Sequence, residues 1–90
     1  MKTTVASWDE LKKGYPVGVE ISGRVDRVMA FGLFISVDGV PAGVMQVDGI
    51  SLEVNGEPLG PEFWPKVGDS VQAVIIEQSD HNQELKSRLR

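Results

Sequence analysis

The chain has no cysteine, one histidine and one tyrosine among its 90 residues. Without cysteine there is no disulfide framework and no thiolate metal site. The lone His81 has no partner at a metal-ligand spacing, so no metal or other cofactor is expected. No serine stands beside a base in a nucleophile motif, which argues against an enzyme. Asp80 and His81 are neighbours in the chain, but a catalytic dyad is defined by geometry and not by adjacency. No apolar run is long enough to span a bilayer. The start, Met1 to Val5, lacks the apolar stretch of a signal peptide, so a soluble, cytoplasmic protein with no membrane partner is expected. Positive charge is also short: nine Lys and Arg against thirteen Asp and Glu give a net charge of −4. That balance counts against strong non-specific attraction to polyanions.

What is present is the material of one small β-rich domain. An apolar content of 41% and ten glycines fit a chain of this length that can just bury a core of its own. Ser7 to Gly14 predicts a short helix. Ser7 and Glu10 have the spacing of a capping box, Asp9 and Glu10 suit the positive end of the helix dipole, and Lys12 and Lys13 suit the other end. Trp8 and Leu11 share a face that can dock this turn on the rest of the domain. Alternation of period two then predicts strands over Val17–Val28, Phe31–Val37, Ala42–Val47, Ser70–Gln78 and Glu84–Arg90. Gly23 within the first strand marks a bend or a close backbone approach. The register of the third strand is open, because a bulge near Gly43 would exchange Met45 and Gln46 between the two faces. Apolar residues on both faces of the fourth strand imply that it is covered on both sides. Residues 50–66 break the pattern with Asn55-Gly56, Gly60-Pro61 and three prolines. Phe63 and Trp64 are expected to anchor that connection over a barrel end. Five strands, one helical turn and one long connection predict an all-β closed barrel.

The segment Phe31–Val37 carries the clearest functional pattern. Leu33, Ile35 and Val37 face one way, Gly32, Phe34 and Ser36 the other. Phe31 and Phe34 are then either core residues or a pair of rings on an open face, where unpaired bases can stack. Arg24 and Arg27 come from the preceding strand. Lys86, Arg88 and Arg90 alternate along the last one as a cationic stripe. Arg24, Arg27, Lys86 and Arg88 would make the Phe34 face locally positive, with the acid carried by the helix start and the long connection.

From Gly18 onward the chain resembles the S1 RNA-binding domain family, a branch of the five-stranded oligonucleotide-binding (OB-fold) barrels. Gly18 followed by Ile21-Ser22-Gly23-Arg24-Val25 is similar to the family's opening. Phe31-Gly32-Leu33-Phe34-Ile35 matches its hallmark second strand, and Gly43-Val44-Met45-Gln46 resembles its third. Val67-Gly68-Asp69-Ser70-Val71 matches its approach to the fourth, and Val74 to Ile76 with Asp80 approximates the turn that follows. The resemblance implies a five-stranded antiparallel OB-fold barrel over residues 18–90. Residues 1–17 would form a helical turn packed on it, and a long irregular connection would join strands 3 and 4.

The resemblance also implies a site. Phe31, Phe34 and Asp80 keep the family's residue types. Gln46 stands where the family has a histidine, so it can hydrogen-bond but not carry charge. Glu84 stands where a basic residue is expected, unless an inserted residue moves Lys86 into that place, and His81 could contribute from the turn. The expected interface therefore comprises Phe31, Phe34, Gln46, Asp80, Arg24, Arg27, Lys86 and Arg88. Its expected ligand is single-stranded RNA, bound weakly by a chain that favours the monomer. The alternative is a protein-interaction module with a degenerate site, in which exposed Phe34 and Met45 form an apolar patch for a protein partner.

Overall fold

The computed structural model describes residues 7–90; the Met1–Val5 start lies outside the described residues. Helix α1 (Trp8–Gly14) has the expected capping box. The Ser7 side chain accepts from the Glu10 amide, and the Glu10 side chain accepts from the Ser7 amide. Only Leu11 of this helix is buried. Strands β1 (Glu20–Met29), β2 (Gly32–Ser36) and β3 (Met45–Asp48) follow. The connection after them holds a small hairpin, β4 (Glu53–Val54) and β5 (Glu57–Pro58), between two single turns of 3₁₀ helix. Strands β6 (Ser70–Ser79) and β7 (Glu84–Leu89) end the fold.

Five strands close into a barrel in the order β1-β2-β3-β7-β6, with β6 pairing back to β1. The pairing of β3 with β7 is parallel, which corrects the all-antiparallel expectation. The reason is topological. Strand directions can alternate all the way round a closed ring only when the number of strands is even, so a barrel of five needs at least one parallel pair. A parallel pair in turn needs a long crossover, here residues 49–69 together with β6.

Inside the barrel, Ile21, Val25, Leu33, Ile35, Val47, Ala73, Ile75 and Leu85 form the core. Met45 lies among them with 0% exposure. The expected outer patch of Phe34 and Met45 is therefore wrong: β3 runs with Met45 and Val47 inward and Gln46 outward, so no apolar surface contains Met45. Leu11 of α1 plugs one end of the barrel, while Leu52 and Trp64 close the other. Phe63, expected as a second anchor, is 69% exposed. One side chain suffices: the Trp64 indole donates to the Leu59 carbonyl at 2.9 Å and lies against Gly49, where any Cβ would sit 2.9 Å from the ring. Strand β6 is not covered on both sides either, because Ile76 is 41% exposed. Ile76 is the extra residue of a β-bulge, which releases it from the in–out alternation.

Candidate nucleic-acid interface

Two bulges set the outer face of the barrel. In β1, Val25 pairs with Ile35 and Arg27 with Phe34, so Asp26 is the extra residue. Strict alternation would turn Arg27 inward alongside Val25; the bulge re-aims it outward. In β6, the extra Ile76 brings Glu77 opposite Lys86. Following the pairings across the sheet, Arg27, Phe34, Gln46, Lys86 and Glu77 form one row on the outer side of the sheet, in which Gln46 itself is covered, at 7% exposure. Lys86 lies beside the third strand, in register with Gln46.

Phe34 is half-buried in this row and Phe31 is 58% exposed above it. Their ring centroids lie 6.0 Å apart and nearly perpendicular. The Arg27 guanidinium sits 5.9 Å from the Phe34 ring centre, within cation–π range. Two glycines make the arrangement possible. Gly32 has φ +153°, and a Cβ there would meet the Val47 carbonyl at 2.1 Å. Gly49 donates its amide to the Phe31 carbonyl at 2.7 Å and lies under Trp64. The turn that presents Phe31 is thereby fastened to the plug of the long connection.

The face is more mixed in charge than expected. Asp48 pairs with Lys86 at 3.4 Å, and Glu84 accepts from the Gln46 side chain, whose amide nitrogen also donates to the Gly43 carbonyl at 3.1 Å. Both amide hydrogens of Gln46 are thereby committed. Four cations (Arg24, Arg27, Lys86, Arg88) share the surface with three carboxylates (Asp48, Glu77, Glu84), so the acid is not confined to the helix and the long connection. Among the described residues, Arg24, Arg27 and Arg88 form no ion pair. Arg88 faces out from β7 one step beyond Lys86, opposite Val74. Arg24 lies one outward step from Arg27 along β1, opposite Ser36.

Asp80 stands apart from the row. Its carboxylate accepts from the Trp8 indole and from Lys12, each at 2.8 Å, so it ties the β6–β7 turn to α1. The hydrogen bond from Lys12, then that from Trp8, holds the Asp80 carboxyl below the usual carboxylate range. The same hydrogen bond to Asp80 raises Lys12. His81 is exposed next to it in the turn. Sequence reasoning missed Trp8 and Lys12 as the partners of Asp80, which lie about seventy positions away in the chain, and no local signal points to them. It also missed Asp48 as the partner of Lys86.

The topology and this outer face define an OB-fold barrel, whose strands 2 and 3 and adjoining loops form its usual ligand surface. No family model matches the chain. Its sequence is 31% identical to the small ribosomal subunit protein bS1 of Rhodopseudomonas palustris over 70 residues, which is 78% of this chain and 12% of that protein. It is 33% identical to bS1 of Chlamydia trachomatis over 78 residues, 84% of this chain and 13% of that one. The chain therefore spans about an eighth of the length of these curated relatives. Among solved structures, Mycoplasma genitalium RNase R superposes with a TM-score of 0.70 at 18% identity, both alone and in complex with ribose-methylated single-stranded RNA. That match covers 89% of this chain and 14% of RNase R. The intact alpha subunit of aIF2 from Pyrococcus abyssi matches with a TM-score of 0.65 at 24% identity, over 84% of this chain and 29% of that subunit. The chain is an S1-like domain on the OB fold.

Proposed function

We propose that the chain is a weak single-stranded RNA-binding module, and that the row Arg27–Phe34–Gln46–Lys86, with Phe31 above it, is the binding face. The observation that carries this reading is the pair of accessible rings with Arg27 turned outward beside them by the β1 bulge. Two bases can stack there, each contributing about 1–3 kcal/mol without regard to sequence. Binding is weak because Asp48 and Glu84 compete for Lys86 and Gln46. The likeness to RNase R, whose structure is known in complex with ribose-methylated single-stranded RNA, supports the choice of ligand.

The test is a titration of isotope-labelled protein with a six-nucleotide single-stranded RNA at low salt. Amide shifts clustered at Phe31, Phe34, Gln46 and Lys86 are expected. Shifts absent from this row would make the reading wrong and leave protein interaction as the function. Phe34→Ala is expected to weaken binding by about 1–3 kcal/mol with little change in melting temperature, since Phe34 is outside the core cluster and its ring meets Phe31 and Arg27. A large loss of stability would instead identify the ring as core.

A further inference from the structure

One feature of the barrel surface lies outside the aromatic row. A groove of about 530 Å³ crosses β1 at Arg24; its polar lining is Ser22, Arg24, Ser36, Asp38, Ser70 and Gln72, with Gly23, Val37 and Val71 completing it. Arg24 is in register with Ser36 on β2 and, on its other side, with Ser70 on β6; Ser22 is opposite Gln72. Directly paired positions bring side chains on one face within reach of each other. An arginine with no ion pair among the described residues thus stands between two hydroxyls, with a third hydroxyl and an amide one step along. Gly23 makes the approach possible, because a Cβ there would lie 2.5 Å from the Ser36 carbonyl.

We infer that this groove is a phosphate subsite, taking the sugar–phosphate backbone of a single strand as it leaves the Phe34 platform. The inference rests on the RNA-binding reading above. A guanidinium surrounded by neutral donors suits an oxyanion, since arginine recognises phosphate through a fixed fork of N–H groups and hydroxyls can complete the set. The position suits a continuous path: Ser36 is the next outward residue after Phe34 on β2, and Arg24 the next outward cation from Arg27 on β1. Asp38 is the one carboxylate lining the groove, and it opposes an anion there.

The experiment measures the affinity of a six-nucleotide single-stranded RNA across a salt series for the wild-type chain, Arg24→Gln, Arg24→Lys, Asp38→Asn and Phe34→Ala. Each phosphate contact to a single strand contributes about 0.7 to the slope of log affinity against log salt. Arg24→Gln is expected to reduce that slope by about 0.7 and to lower affinity roughly tenfold at low salt. Arg24→Lys keeps the slope, Asp38→Asn raises affinity, and Phe34→Ala lowers affinity with the slope intact. An Arg24→Gln protein with the wild-type slope and affinity overturns the subsite, while weakening by Phe34→Ala in the same series leaves the binding face standing. No binding by the wild-type chain at low salt overturns both. Arg24 is exposed and forms no ion pair among the described residues, so the substitution spares the fold, and an unchanged melting temperature verifies this.

Discussion

Gly32 is the residue on which the face depends most directly. Its φ of +153° and the 2.1 Å gap to the Val47 carbonyl leave no room for a side chain. Gly32→Ala is expected to cost about 2 kcal/mol or more in backbone strain alone, read as a fall in the denaturant midpoint, and to disturb the pairing of Gly32 with Asp48. An unchanged midpoint would show that β2 can shift to accept a Cβ. Glu84 is the opposite kind of residue, exchangeable for the fold and adverse to the proposed ligand. Glu84→Gln keeps a carbonyl to accept from Gln46 but removes a negative charge from the face. Affinity for single-stranded RNA is expected to rise roughly threefold, the scale of one exposed charge interaction, in the same low-salt titration. A fall would mean that the Glu84 charge holds Gln46 in its binding orientation.

Helix α1 is held to the barrel by a small set of contacts: Leu11 in the core, the Gln78 amide donating to the Lys12 and Tyr15 carbonyls, and Asp80 gripped by Lys12 and Trp8. The last of these is pH-dependent. The folded Asp80 carboxyl lies below its ordinary value of 3.8, so its contribution is complete above that value and is lost as pH falls through the lower folded one. Lys12 is raised above its ordinary 10.5, so its share is complete below that and is lost as pH rises through the folded value. Asp80 is exposed and Lys12 only half-buried, so solvent screening keeps the effect small and local. Protection of the Tyr15 amide, whose N–H bonds to the Leu11 carbonyl, is expected to fall in acid below the carboxylate range, read as its exchange rate relative to that of an unstructured peptide at the same pH. Asp80→Asn should show the lower protection already at neutral pH and no further fall in acid. If the acid dependence persists in that variant, another carboxylate holds the helix. The long connection is the corresponding clamp at the other end of the barrel, since Trp64 lies on Gly49 and Gly49 bonds to the Phe31 backbone.

Taken as a whole, the molecule is an acidic domain whose proposed binding face is close to charge balance, and this sets the expected salt response. Arg24, Arg27 and Arg88 are the face's cations without an ion pair among the described residues. Three phosphate contacts correspond to a slope of about −2 for single-stranded RNA. A salt titration of the wild-type chain checks this. A much steeper slope would require cations outside this face. No helix among the described residues is long and apolar enough to cross a membrane.

Much of this was legible in the residues alone. The capping box at Ser7 and Glu10, the alternation of Leu33 and Ile35 against Phe34, and the turn at Asp80 depend on neighbours a few positions apart, and local sterics decide them. The same holds for the Phe31-Gly32-Leu33-Phe34 segment that marks the barrel as S1-like. What needed the closed barrel was every relation between strands. The parallel pairing of β3 with β7 follows from an odd strand count, and the direction of Arg27 follows from an extra residue absorbed at Asp26. The inward turn of Met45, the capture of Asp80 by α1 and the pairing of Lys86 with Asp48 likewise join distant segments. Alternation along a strand has a fixed period but no fixed phase, and only pairing with neighbours sets that phase.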